Sequence, residues 1–216
     1  FNGSLAWQYK RSNGLLFKST LGFFYNDFRN LINYGFDPKE PNVSMTINID
    51  KFKTTGSTFE NTLYYKNLQA TLGFSYVGRY NLFSEDETFK EENIAVFLWS
   101  PEINSNFTYD FKSIGTKLNF FYKYTGKRPS YATTTNSSGQ PTIQLTEVAP
   151  FHWADITVTK VLTKYISFTG GVKNIFNITR LNNTSADTGS AHSSGGAVPM
   201  SYGRSYFVGL NARWSK

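Results

Sequence analysis

Apolar and polar residues alternate with a period of two through almost the whole chain, and that period commits the backbone to strands rather than helices. Leu5, Trp7 and Tyr9 share one side of the first segment. Leu15, Phe17, Leu21, Phe23 and Tyr25 share one side of the next, against Lys18, Thr20, Gly22 and Asn26. The same alternation recurs in Leu68–Tyr76, Trp99–Phe111, Leu118–Tyr124, Ala154–Leu162, Ile166–Phe176 and Tyr206–Trp214. The stretch "TTGSTFENTLYY" is less regular, with Phe59, Leu63 and Tyr65 sharing a parity with Asn61. Together these segments predict about nine strands, each long enough to cross a bilayer at the tilt that barrels use.

The connections alternate as well. "RSNG", "KN", "KSIG" and "TK" are short and turn-like. Between them lie long polar stretches that start at Asn33, Asn81, Gly126 and Asn182. Tight turns at one end and long loops at the other are the asymmetry of a transmembrane β-barrel. Composition agrees: 18% of residues are aromatic although only 39% are hydrophobic, an odd balance for a closed soluble core. Aromatic rings favour the two membrane interfaces. A soluble sandwich also alternates, but it rarely sends so many aromatics outward. The expectation is an all-β antiparallel barrel wall with Leu72, Phe74, Leu118, Phe120, Ile156, Val158, Val208 and Leu210 facing lipid.

No apolar run is long enough for a transmembrane helix, and the first residues do not read as a signal peptide. With no cysteine, disulfides and thiolate metal sites are excluded. The net charge of +7 is spread over turns and polar strand positions, which argues against a nucleic-acid partner. Counting nine strands back from a last strand that ends at the short-turn side puts Phe1 at the long-loop side. A single-chain bacterial barrel has an even strand number and both termini at the short-turn side. The expectation is a part of a larger barrel, whose first and last strands pair with polypeptide outside these 216 residues.

The last third resembles the C-terminus of TonB-dependent outer-membrane receptors. "GVKNIFNITR" carries the triplet Asn174, Ile175 and Phe176 at the end of the penultimate strand, and Gly203, Arg204 and Tyr206 open the final one. "SPEINSNFTYDF" with "GTKLNFFYKYTGKRPSY", and "FYNDFRNLINY" with "NIDKFKTTG", resemble the neighbouring strand pairs of Bacteroidota members. The resemblance implies that residues 1–216 are the C-terminal portion of the barrel domain, about nine of about 22 strands. The plug domain and the TonB-contacting segment then lie outside this chain. It implies bacterial outer-membrane uptake of a scarce nutrient such as siderophore-bound iron, haem or cobalamin, energised through TonB. The implied partners are the rest of the barrel and plug, lipopolysaccharide and other membrane lipid, a surface lipoprotein, and the barrel-insertion machinery. That machinery reads an alternating last strand with a terminal aromatic, here Tyr206, Val208, Leu210, Ala212 and Trp214, although Ser215 and Lys216 extend past it.

Candidate ligand contacts are His192, Arg128, Tyr131, Arg180 and Arg204, near the long-loop ends of strands. Arg and Tyr there suit phosphates or an anionic ligand, although ordinary loop charge explains them as simply. A loop histidine such as His192 suits haem ligation; a solvated loop His is the plainer reading, and His152 beside Trp153 reads as interfacial. The acidic run Glu85, Asp86, Glu87, Glu91 and Glu92 lacks the spacing of a calcium loop. Asp110, Asp155, Glu60, Lys18, Lys117 and Lys123 fall on the inward parity, where they pair with a plug or line a wet lumen. No catalytic motif is present, and no cofactor is expected. The alternative is a barrel of phospholipase- or protease-like activity, or of structural or adhesive role.

Overall fold

A computed structural model describes residues 1–36, 44–89, 94–135, 137–184 and 197–214. Nine strands form one antiparallel sheet: β1 (Asn2–Lys10), β2 (Leu16–Phe36), β3 (Ser44–Tyr65), β4 (Leu68–Tyr80), β5 (Phe97–Phe111), β6 (Thr116–Thr125), and then three more. Two strands, β7 (Arg128–Thr135) and β8 (Pro141–Val148), form a separate hairpin before β9 (Phe151–Val161) and β10 (Ile166–Lys173) return to the sheet. A small ladder of β11 (Arg180–Leu181) and β12 (Val198–Pro199) precedes the last strand, β13 (Ser205–Ala212). The sheet order is β1-β2-β3-β4-β5-β6-β9-β10-β13, with β1 and β13 at its open edges. Among the described residues there is no α-helix.

Register carries one parity across all nine strands. Leu5 pairs with Leu21, Leu21 with Phe59, Phe59 with Phe74, and Phe74 with Ile103. Further along, Phe107 pairs with Phe120, Phe120 with Ile156, Ile156 with Val172, and Val172 with Tyr206. Directly paired residues share a face, so all eight residues expected on the apolar face lie on it. Among the described residues no protein layer lies against that face. The only buried hydrophobic side chains among the described residues are Ala154 (1% exposed) and Leu181 (4%), whereas Val208 is 83% exposed. A soluble sheet of this size would hide such a face.

The polar face is bound across strands by short side chains. Thr62 and Thr71 hydroxyls lie 3.2 Å apart, as do those of Thr159 and Thr169 at 3.1 Å. Asn119 Nδ2 donates to Asn106 Oδ1 and to Thr108 Oγ1, each at 2.9 Å. Lys123 pairs with Glu102 at 3.3 Å on the same face. Phe207 is the aromatic of β13 on this parity, which also holds Phe24, Phe28, Phe121 and Trp153, and it has a ledge: a Cβ on Gly171 would lie 2.8 Å from the Phe207 ring and 2.3 Å from Ile156 O. Only glycine fits under that ring. The apolar face has polar members too, among them Ser19, buried and donating to Asn61 Oδ1 at 2.8 Å.

The four short connections, 11–15, 66–67, 112–115 and 162–165, all lie at one end. The long ones lie at the other, but two differ from their expected extent. The segment from Asn33 is not loop at its start, because β2 runs to Phe36 and β3 begins at Ser44, leaving 37–43 between them. The segment after Gly126 is a hairpin, in which Tyr131 pairs with Leu145 and Thr133 with Ile143. Its threonines, Tyr131, Ile143 and Leu145 have high β-propensity, and a Ser-Ser-Gly turn sits between the two runs. The sequence pattern was masked there by the density of hydroxyl side chains.

Candidate functional site

At the long-loop end, aromatic side chains gather on the apolar face. Tyr76 stacks on Trp99 with centroids 4.8 Å apart, Tyr80 meets Phe97 edge-on at 5.7 Å, and Lys53 Nζ lies 4.7 Å from the Tyr80 ring centre. Further round the sheet, the Tyr122 hydroxyl and His152 Nδ1 are 2.8 Å apart, and the His152 ring also contacts Tyr124 and Phe176. His152 therefore belongs to this girdle.

Above the girdle stands a platform built from two connections. The β7–β8 hairpin is joined to the segment after β11: Ala149 N donates to Asn182 O at 2.8 Å, Thr184 N to Glu147 O at 3.0 Å, and Glu147 N to Thr184 Oγ1 at 2.7 Å. Lys127 at the hairpin base donates to Glu147 Oε2 at 2.8 Å. Hydrogen bonding to Glu147, and then its charge, raise the Lys127 pKa above 10.5. Arg128 starts β7 opposite Val148, and its Nε is buried without a hydrogen-bond partner. Tyr131 lies further along the same strand, and Arg180 sits in β11 opposite Pro199. Arg128, Tyr131 and Arg180 are thus carried by one bonded platform, with Arg128 and Tyr131, three residues apart on β7, on opposite faces of the hairpin. His192 lies outside the described residues, as do Glu91 and Glu92.

Arg204 is placed elsewhere. It stands at the foot of β13, where Nε and Nη2 both donate to Ile175 O, at 3.0 and 2.5 Å, and its backbone N donates to Asn177 Oδ1. It belongs to a knot that the sequence marked only as a resemblance. Asn174 (1% exposed) is its centre. Its Nδ2 donates to Ile178 O and Ser201 Oγ, its Oδ1 accepts from Ile178 N, and its backbone N donates to Asp155 Oδ1. Trp153 Nε1 donates to that same carboxylate oxygen at 2.9 Å. Asn174 and Asn177 have φ of 53° and 57°, a region asparagine tolerates. Gly203 closes the knot at φ 96°. The readable signal was a pair of asparagines three apart after a strand, a turn signature.

The apolar row of the last strand pairs Tyr206 with Val172, Val208 with Gly170, Leu210 with Phe168 and Ala212 with Ile166. Trp214 lies just past the strand, 91% exposed. Among the described residues no group of three His, Asp or Glu side chains is placed to hold a metal ion.

No protein-family profile matches the chain, and no curated protein matches it in sequence. Solved structures do. The ferric enterobactin receptor of Pseudomonas aeruginosa is similar over 98% of this chain and 31% of its own, with a TM-score of 0.60 and 20% identity. The outer membrane transporter YddB of Escherichia coli covers 99% of this chain and 32% of its own, at TM-score 0.56 and 13% identity. The FrpB iron transporter of Neisseria meningitidis matches over 98% and 30%, at TM-score 0.54 and 14% identity. This chain shares their fold. It spans about a third of the length of these structures. The nine-stranded open sheet is therefore the wall of a barrel of this type.

Proposed function

We propose that this chain is the C-terminal part of the barrel of a TonB-dependent receptor in a bacterial outer membrane, and that the whole protein imports a scarce nutrient. The observation that carries the reading is the unbroken parity of the sheet. One face presents exposed Leu, Phe and Val from β1 to β13, the other Asn, Thr and paired charges. Lipid on one side and water on the other is the environment in which both faces are satisfied at once. The NIFN and Gly-Arg elements support the family, and a ferric enterobactin receptor and an iron transporter are among the structures with this fold.

The ligand class is siderophore-bound iron, haem or a cobalamin-like molecule. Capture falls to the platform that carries Arg128, Tyr131 and Arg180, with His192 in the stretch of sequence between Thr184 and Ala197. A plug and TonB supply gating and energy, and lipopolysaccharide and a surface lipoprotein border the long-loop end. Deleting the gene and growing the strain under iron, haem or cobalamin limitation tests this. A growth defect under one limitation, with the protein in the outer-membrane fraction, is expected. A protein recovered in the soluble fraction would sink the barrel; normal growth under all three would sink the nutrient class. For the site, Arg128→Ala with Arg180→Ala weakens ligand binding without loss of the folded barrel.

A further inference from the structure

The short-turn end holds nearly all of the chain's charge imbalance. Each of its four turns carries a cation: Lys10 and Arg11 flank the first, and Lys66, Lys112 and Lys164 sit in the other three. Lys18, Lys117, Lys160 and Arg213 lie within a few residues of those turns, and Asp110 is the lone carboxylate among them. Among the described residues this end thus holds nine of the chain's 22 basic side chains and one of its 15 acidic ones. The remainder of the molecule is close to neutral. An even spread along the sequence becomes one charged rim because antiparallel pairing returns every second connection to the same end.

Two of the turn cations adjoin the apolar side of the wall, whereas Lys18 and Lys117 lie on the polar parity. Lys66 Nζ lies 5.2 Å from the ring centre of Tyr65, which shares the apolar parity through its pairing with Leu68. Lys164 Nζ lies 4.8 Å from the Tyr165 ring centre. Tyr165 lines a hollow of about 330 Å³ with Arg213 and with Ile166 and Ala212 of the apolar row. A tyrosine at the edge of an apolar band, with an ammonium over its ring, is the arrangement that meets the headgroup layer of a leaflet.

We propose that the short-turn rim is a cationic collar that concentrates anionic phospholipid headgroups of the adjoining leaflet around the barrel. The inference rests on the membrane-barrel reading above. Cations at a membrane surface favour anionic lipid, a contribution that falls with salt. An acidic polypeptide is the less suitable occupant, because the Lys66 and Lys164 ammonium–tyrosine pairs adjoin the lipid-facing residues Leu68 and Ile166, while one such pair, Lys18 at 5.9 Å from the Tyr64 ring centre, lies on the polar parity.

The test uses the full-length protein in nanodiscs of equal phosphatidylglycerol and phosphatidylethanolamine, with retained lipid read by native mass spectrometry. The parent protein is expected to enrich phosphatidylglycerol about tenfold at low salt and to lose that enrichment at high salt. Arg11→Gln, Lys66→Gln, Lys112→Gln and Lys164→Gln together abolish it, while Lys66→Arg with Lys112→Arg and Lys164→Arg retains it. Equal enrichment in parent and Gln variant overturns the proposal. So does a photo-crosslink from the turns to an acidic polypeptide without lipid enrichment. Membrane fractionation and heat-modifiable migration are measured first on the same proteins, so that loss of the barrel itself registers as failure of the earlier reading.

Discussion

The two ends of β10 are held in opposite ways. At its start, 162–165 turns the chain back with local bonds: Leu162 N donates to Ile166 O, and Thr163 Oγ1 accepts from Tyr165 N and Ile166 N. At its end, the connection 174–204 is tied down by a buried asparagine whose partners lie four and 27 residues away. A four-residue turn loses little entropy on closure and needs no interior. A 31-residue connection has to be fixed at its base if what it carries is to keep a position. Tight turns can therefore vary in composition, and here they collect cations; the long connection depends on individual side chains.

Substitutions at the two ends test that contrast, taken in order of decreasing cost. Gly171→Val drives a Cβ into Ile156 O and under the Phe207 ring. The expected cost is about 3 kcal/mol or more, read as loss of heat-modifiable barrel in the outer membrane. Wild-type assembly would show that the Phe207 ledge is dispensable. Asn174→Ala removes the hub of the knot, leaves Ile178 N without its partner and takes one bond from Ser201 Oγ, which keeps Ile178 O and Gly203 N. It should cost about 2–3 kcal/mol, with protease cleavage after Asn177 in intact cells, while the short turns stay protected.

Gly203→Ala adds a Cβ 2.8 Å from Asn177 Oδ1 at φ 96°. About 1–2 kcal/mol is expected from urea unfolding in detergent. Lys66→Gly at the opposite end relieves a positive φ of 52° but frees the unfolded chain. The two effects nearly cancel, to within about 0.5 kcal/mol; a large loss would contradict the tolerance argued for short turns. Smallest is Lys127→Ala, an exposed pair with Glu147. Because its pKa is raised by folding, the pair is at full strength through neutral pH up to the ordinary lysine value of 10.5, as long as Glu147 carries its charge, and is lost on the alkaline side as pH climbs through the raised value. Protease resistance of the hairpin should be constant through neutral pH and decline only in strong alkali.

The fold was legible because a half-buried strand writes its two faces into consecutive residues. Parity in Leu68–Tyr76 or Leu118–Tyr124 survives without knowledge of the neighbouring strand. The β7–β8 hairpin was less legible, since its runs of threonine satisfy strand and loop alike. Of the candidate ligand contacts, Arg128, Tyr131 and Arg180 stand on one platform and Arg204 in a knot. Nothing local separates those cases: each is a basic or aromatic residue near a strand end. The role of Asn174 depends on Asp155 and Ser201, 19 and 27 residues away.

By itself the sequence determined the strand period, the two faces, the count of nine and the alternation of short and long connections, because each is a property of neighbours in the chain. Tertiary structure alone decided which residues meet: Phe207 on the Gly171 ledge, Asn174 beneath Ser201, the hairpin bonded to 182–184, and nine scattered cations in one rim. Those are consequences of hydrogen-bond register, which adds long-range partners to every residue without altering its local pattern.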